Sequence, residues 1–503
     1  MFLSRKENGL ALLAGLSCMY GFAPFGYFII PLLAQAVLFV LWAKSDTARQ
    51  AAVLGFAFGI GLFGAGISWI YISLHDFGGM PMWLAALALL LFTAFLSLFT
   101  ALAGYLQGLF KSNARTLLVM PAVWVLIEQL RGMIFTGFPW LTLGYAHSDS
   151  PLAGYAPLLG VYGVSLVAAI CSGLLASIRL NRRHRAITIL AFLLFCLAGA
   201  MLRTINWTTT FGTPFSVALA QGNIGQDIKF DEDQLFKTLV LYRNLVLQNP
   251  AKLIVLPETA LPMMHDDLPQ ALLDELRVSA KRNDGDVLTG VFEQDSKGYY
   301  NSVIVLGGSE KSGGTERYRK HHLVVFGEFI PLRAVFGWLI NQVLHIPMGD
   351  LARGEFIQPP MQVAGQRVAV DICYEDVFGE EIINALPAAT LLVNVTNDGW
   401  FGDSIAAAQH NQMSQFRALE TGRMMLRATN SGVTSIIGVN GKVLRELPQH
   451  QLSVLQGMVQ GYQGSTPYVR WGNRAVLLLI ALLLTGSLRP GARRTRDTSP
   501  AGT

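Results

Sequence analysis

Cys373, Glu258 and Lys320 are the residues whose types could do chemistry together. Of the four cysteines, Cys18, Cys171 and Cys196 sit inside long apolar runs, and Cys373 alone lies in polar sequence, within VAVDICYED. It has no evident disulfide partner. A thiol used as a nucleophile needs a base to take its proton and a group to hold an oxyanion. A free thiol, with a pKa of about 8.5, is only slightly ionised at neutral pH. Glu258, in VLPET, offers a carboxylate for the proton, and Lys320, in RYRKHH, offers an ammonium for thiolate and oxyanion. Each also has an ordinary reading. A lone cysteine at a strand end is a small core residue, a glutamate after proline is a cap or surface group, and a lysine in a basic run is solvated. Spacing alone does not force the three together. The sequence holds no CxxC pair, no Cys/His zinc spacing, no HExxH and no GxxxxGK[ST] loop.

The elements that must position these residues read as alternating strands and helices. Strands are expected at 214–221, 253–258, 286–293, 300–307, 367–373, 390–396 and 433–439, and helices at 231–248, 268–282 and about 405–425. In the first helix Leu235, Leu239, Tyr242 and Val246 share one face. Alternation of this kind indicates an α/β domain, with site positions at the C-terminal ends of its buried strands. Glu258 and Cys373 both fall at such ends, and Lys320 leads into a loop.

The rest of the chain is of another kind. Hydrophobic residues make up 52% and charged residues 14%, too apolar a balance for an ordinary soluble enzyme. Apolar runs at 8–24, 26–43, 51–74, 82–110, 115–134, 152–178, 186–203 and 473–488 are candidate spans. Lys and Arg cluster at every even-numbered exit: Lys44 and Arg49, Lys111 and Arg115, Arg179 to Arg185, and Arg489 to Arg496. The positive-inside rule makes those exits cytoplasmic. The expected organisation is a membrane domain of about seven helices over 1–203, an extracytoplasmic domain over 204–472, a final span at 473–488 and a basic cytoplasmic tail at 489–503. A cleaved signal peptide is the alternative for the first run. A transporter is disfavoured because the spans carry almost no ionisable residues. Glu128 and Arg131, at the outer end of the fifth run, are expected to pair or to face water.

The ordered set Glu258, Lys320 and Cys373 resembles the nitrilase superfamily. More fully, the chain is similar to the apolipoprotein N-acyltransferase family, its membrane-embedded branch. The resemblance rests on RGMIFTGFPWLTLGY (131–145), QGNIGQ (221–226), LPETALP (256–262), YRKHHLVVFGEFIPL (318–332), ICYED (372–376) and NDGWFG (397–402). It implies an α-β-β-α sandwich beside a multi-span α-helical membrane domain, with Glu258 as proton acceptor, Lys320 as oxyanion and thiolate stabiliser, and Cys373 as nucleophile. Glu328, Tyr374 and Glu375 match supporting positions. Val325 and Phe230 depart from the family's usual proline and tryptophan.

The implied activity is a ping-pong transfer of a fatty acyl chain. The donor would be a membrane phospholipid, typically phosphatidylethanolamine, and the acceptor the N-terminal amine of a diacylated apolipoprotein. No metal, cofactor or nucleic acid is called for, and the place would be a bacterial inner membrane with the site on the periplasmic side. Pro331–Asp350, with Phe336 and Trp338, reads either as a core helix of the sandwich or as a lid that dips into the membrane, and the lid is the expectation adopted. Met263 and Met264 would form a second wall, and Phe138 and Trp140 further lipid contacts. A membrane-tethered amidase acting on a small amide is the competing function.

Overall fold

The computed structural model describes residues 5–110, 115–308, 316–330 and 351–488. The lid segment with Phe336 and Trp338, Lys111 and the basic tail lie outside these residues.

All eight apolar runs contain helix. Among the described residues four helices have the length and composition to cross a bilayer, Ala48–Gly66, Met82–Leu109, Pro151–Leu180 and Arg185–Leu202, while Ile29–Lys44 and Arg474–Ser487 are apolar but shorter. The fifth run is helical over Met120–Arg131 and then breaks at Gly132 into an irregular segment that continues to Ser150. Glu128 and Arg131 hold that segment rather than facing water. Both are buried. Glu128 accepts from the Leu143 N–H at 2.9 Å, and Arg131 donates to the carbonyls of Phe138 and of Trp140, the latter at 2.7 Å. Irregular backbone at membrane depth needs such internal partners, because lipid supplies none.

The second half is a two-sheet sandwich. Its strands are β1 (Thr208–Gln221), β2 (Leu253–Val255), β3 (Asp286–Asp295), β4 (Gly298–Gly307), β5 (Arg317–Arg319), β6 (Met361–Val363), β7 (Gln366–Ile372), β8 (Leu391–Thr396), β9 (Met425–Thr429), β10 (Ser435–Ile437), β11 (Val443–Glu446) and β12 (Ser453–Gly464). One sheet runs β12-β1-β2-β3-β4-β5 and the other β11-β10-β9-β8-β7-β6. Read from β12 and from β6, both follow one pattern: antiparallel, parallel, parallel, antiparallel, antiparallel. Their inner faces meet in a core of Val217, Leu219, Val255, Leu288, Val370, Ile372, Val393 and Leu426. The helices Glu232–Gln248 and Gln270–Arg282 cover the outer face of the first sheet through Leu239, Tyr242, Val246, Leu273 and Leu276.

The helix Ala406–Thr421 covers the second sheet, and every residue in it but Ala408 is buried. Its other side rests on the membrane bundle, with Met413, Phe416 and Leu419 in the bundle's own apolar cluster. The sequence expectation ran this helix on to about 425. It stops because Gly422 adopts φ +63°, a left-handed helix cap, which frees Met425–Thr429 to pair as β9. The strands β5, β6, β9, β11 and β12, and the start of β1 before 214, were not expected.

Candidate active site

Glu258 and Cys373 leave the sandwich at the same end. In the first sheet β2 pairs in parallel with β1 and β3, and Glu258 follows three residues after its last strand residue, Val255. Thr259 then turns the chain at φ +47°. Gly290 of β3 makes room for this turn, since a Cβ there would stand 2.4 Å from the Thr259 nitrogen. In the second sheet Cys373 directly follows β7, which lies parallel to β8 with Ile372 opposite Val395. Cys373 has φ +57°, a strained conformation for a side-chain-bearing residue. The chain then enters a short turn over Cys373–Val377.

Lys320 follows the edge strand β5 and is buried. Its Nζ lies 2.8 Å from Glu328 Oε1 and 3.5 Å from Glu258 Oε1. Asn301 of β4 completes this side, donating from Nδ2 to Glu258 Oε1 at 2.7 Å and to Glu328 Oε1 at 3.5 Å. Burial opposes the Lys320 charge, but Glu328, Glu258 and Cys373 outweigh it and hold the pKa above the ordinary lysine value. For Cys373 burial is the largest influence and Glu258 the next, both pushing the thiol pKa up against the pull of Lys320. The resting sulfur is therefore a thiol.

Glu375 ties the two sides together. Its Oε1 accepts from the backbone N–H groups of His321 at 2.7 Å and His322 at 2.9 Å. Its Oε2 accepts from the Ile372 N–H at 2.8 Å and the Tyr318 hydroxyl at 3.0 Å. One carboxylate thus fixes the chain just after Lys320 to the chain just before Cys373. Burial raises its pKa to about 7, against the hydrogen bonds and Lys320, which lower it.

A charged network lies beneath the cysteine turn. Arg427 of β9 bonds Asp376 and Asp398, each at 3.0 Å. His410 bonds the same two carboxylates, Asp398 from Nδ1 at 2.8 Å and Asp376 from Nε2 at 2.9 Å. Burial and Arg427 work against the His410 charge, but Asp376 and Asp398 raise its pKa to about 9, so both ring nitrogens donate at neutral pH. The Cys373 carbonyl accepts from Asn394 Nδ2 at 3.1 Å and faces His410 Nε2 at 3.3 Å.

The turn also touches the membrane bundle. The Tyr374 hydroxyl donates to the Gly137 carbonyl at 3.1 Å, and its ring lies 6.4 Å from that of Trp140 at an interplanar angle of 13°. Trp140 is buried, and it donates from Nε1 to Gln409 Oε1 at 2.7 Å. Phe138 packs between Phe92 and Trp140. Met263 and Met264 sit apart from these, half-buried beside β3, where Phe292 N donates to the Met263 carbonyl at 3.3 Å.

Among the residues expected from sequence, the structure brings Glu258, Lys320, Glu328, Cys373, Tyr374 and Glu375 into one neighbourhood. Sequence reasoning missed Asn301, Lys229, His410, Asp376, Asp398 and Arg427. For Arg427 the available signal was a charged residue set inside an apolar strand, MLRAT.

Two family models match the chain. One, described as Apolipoprotein N-acyltransferase N-terminal domain, covers residues 14–174, and the other, Carbon-nitrogen hydrolase, covers 216–468. A protein named Apolipoprotein N-acyltransferase from Nitrosomonas europaea is 49% identical over 96% of this chain and 97% of its own length. One of the same name from Ralstonia nicotianae is 47% identical over 97% of this chain and 93% of its own. The chain belongs to the apolipoprotein N-acyltransferase family. Within it, the N-terminal match falls on the helical bundle and the carbon-nitrogen hydrolase match on the sandwich. The helix Arg474–Ser487 lies beyond both.

Proposed function

We propose that this chain transfers a fatty acyl group from a membrane phospholipid to the N-terminal amine of the diacylglyceryl-cysteine of apolipoproteins. The observation that carries the reading is the seat of Cys373: the next residue, Tyr374, is bonded to Gly137 and stacked on Trp140 in the membrane bundle. A hydrolase for small soluble amides gains nothing from a nucleophile fixed to a membrane scaffold, whereas lipid substrates require one.

Glu258 takes the Cys373 proton as the sulfur attacks the ester carbonyl, typically that of phosphatidylethanolamine. The Lys320 ammonium and the Tyr374 backbone N–H hold the oxyanion. The tetrahedral adduct collapses, Glu258 returns the proton to the departing alkoxide, and a thioester and a lysophospholipid result. The acceptor ammonium then loses a proton to Glu258, which releases it to water. Its amine attacks the thioester, and the remaining amine proton passes to the expelled thiolate. Glu328 and Asn301 orient the Lys320–Glu258 pair, and Glu375 holds Lys320 against the cysteine turn. The basic even-numbered exits support a periplasmic site on a bacterial inner membrane.

Intact-protein mass spectrometry after incubation with phosphatidylethanolamine tests the scheme. We expect an acyl-sized mass gain, removed by hydroxylamine, absent in Cys373→Ala, and discharged faster by a diacylated peptide amine than by water. Failure to form the adduct without acceptor would falsify the two-step route.

A further inference from the structure

Lys229 is a second buried ammonium beside these residues, and the scheme above leaves it without a task. It lies in the loop between β1 and the helix Glu232–Gln248 and is 1% exposed. Its Nζ donates to the Glu258 carbonyl at 3.1 Å and to the Thr259 hydroxyl at 2.5 Å, and the Phe230 ring centre is 5.9 Å away. Among the described residues no carboxylate stands within ion-pair distance of it. An ammonium buried against neutral partners alone is costly. The charges that act on it from other elements are those of Glu258 and Cys373. On its own loop Asp227 and Asp231 are exposed.

The charge balance of the site gives Lys229 a role. Lys320 serves two carboxylates, Glu328 at 2.8 Å and Glu258 at 3.5 Å, so these three groups sum to one negative charge. Moving the thiol proton to Glu258 brings these three groups to neutrality and relocates the negative charge to sulfur, then to the substrate oxygen. We propose that Lys229 is the second cation of this centre, pinned to the Glu258–Thr259 turn, where it offsets the negative charge as it passes from Glu258 to the Cys373 sulfur. It is a positioning and electrostatic residue and does not touch substrate. The inference rests on Cys373 being the nucleophile. Burial lowers the Lys229 pKa to about 8, against Glu258 and Cys373, which raise it, so the ammonium predominates at neutral pH.

Alkylation of Cys373 by iodoacetamide, read by peptide mass spectrometry in the full-length protein, reports the thiolate without any lipid. A unit charge about 10 Å away at an effective dielectric near 20 changes a thiolate population roughly tenfold. Lys229→Met and Lys229→Gln should both alkylate about tenfold more slowly at pH 7.5, and Lys229→Arg should restore most of the rate. Glutamine keeps a donor for Glu258 and Thr259 but no charge, so wild-type alkylation in Lys229→Gln would overturn the proposal. If neither neutral variant folds, the wild-type pH profile decides. Single-turnover acylation should decline above about pH 8, and Lys229→Arg should remove that decline. A decline that persists in Lys229→Arg belongs to His410 and refutes the assignment. A wild-type protein that never acylates, with Cys373→Ala as control, would instead refute the nucleophile reading itself.

Discussion

Replacing Glu375 with glutamine separates positioning from folding. The carboxylate accepts four hydrogen bonds, two on each oxygen. Glutamine keeps one accepting oxygen and turns an NH2 toward two donors, so two charge-assisted bonds are lost, about 1.5–3 kcal/mol each. Against this, burial has raised the Glu375 pKa from 4.5 to about 7. Charging it in the fold therefore costs about 3 kcal/mol, which glutamine relieves. The net loss of stability is on the order of 0–3 kcal/mol. The effect on rate should be larger. The lost bonds release either the His321–His322 backbone beside Lys320 or the Ile372 N–H before Cys373, and a misplacement of about 1 Å costs roughly a hundredfold. Thermal unfolding in detergent and single-turnover acylation of Cys373 measure the two quantities. Glu375→Gln should fold with a modestly lowered midpoint and acylate about a hundredfold more slowly. A folded variant acylating at the wild-type rate would refute the stapling argument. pH acts with opposite signs on the two readouts. The folded pKa lies above the unfolded one, so this group's contribution to stability is full below about 4.5 and is lost as pH rises through about 7. Acylation instead needs the carboxylate and should fall as pH drops below about 7, an acid limb that Glu375→Gln should lack.

Two further outcomes follow from the buried network and the interface. His410 has a folded pKa of about 9 against 6.5. It therefore contributes about 3 kcal/mol below pH 6.5 that is lost as pH rises through 9, and His410→Gln should flatten that part of the stability–pH curve. Gln409 Oε1 accepts from the indoles of Trp140 at 2.7 Å and Trp69 at 3.2 Å. Gln409→Ala orphans both N–H groups at about 1–3 kcal/mol each, so the unfolding midpoint should drop clearly, and an unchanged midpoint would show that the indoles find other acceptors.

The parts of the fold that the sequence made legible are those in which chemistry follows local pattern. VLPET and VAVDICYED place Glu258 and Cys373 at strand ends because short apolar strands are bounded by proline and acidic residues. The three expected helices each form, and in Glu232–Gln248 and Gln270–Arg282 the apolar periodicity matches the sheet face they cover. Strand β12 was hidden by its glycines and glutamines, since an edge strand half in solvent need not alternate cleanly. Glu128 and Arg131 misled for a different reason. Charges near a span end ordinarily face water, but here the chain doubles back after Gly132, and the side chains are used to hold its backbone. Asn301 and Lys229 were unreadable, because their partners come from β2 and its turn, 43 and 29 residues away.

The helix Ala406–Thr421 carries the wider consequence. Its Gln409, Gln412, Arg417 and Glu420 would be a solvated face in a free sandwich. Here all are buried. Gln412 reaches Ser148 at 3.2 Å and the Ala23 N–H at 3.0 Å, Arg417 reaches the Tyr145 hydroxyl at 3.3 Å, and Glu420 accepts from the Val161 N–H at 2.7 Å. Those partners are hydroxyls and backbone groups of the bundle's irregular segments and of the Gly160 kink in its helix Ala156–Leu180, which lipid could not satisfy. Each half thus supplies the hydrogen-bonding groups that the other leaves open. The neighbours Gln409 and His410 extend the same logic to the candidate active site, one bonded to the bundle's tryptophans and the other to the carboxylates under Cys373. Removing the bundle would expose this helix and take away the support of the cysteine turn together, so the sandwich expressed alone should lose the reactivity of Cys373 before it loses its sheets.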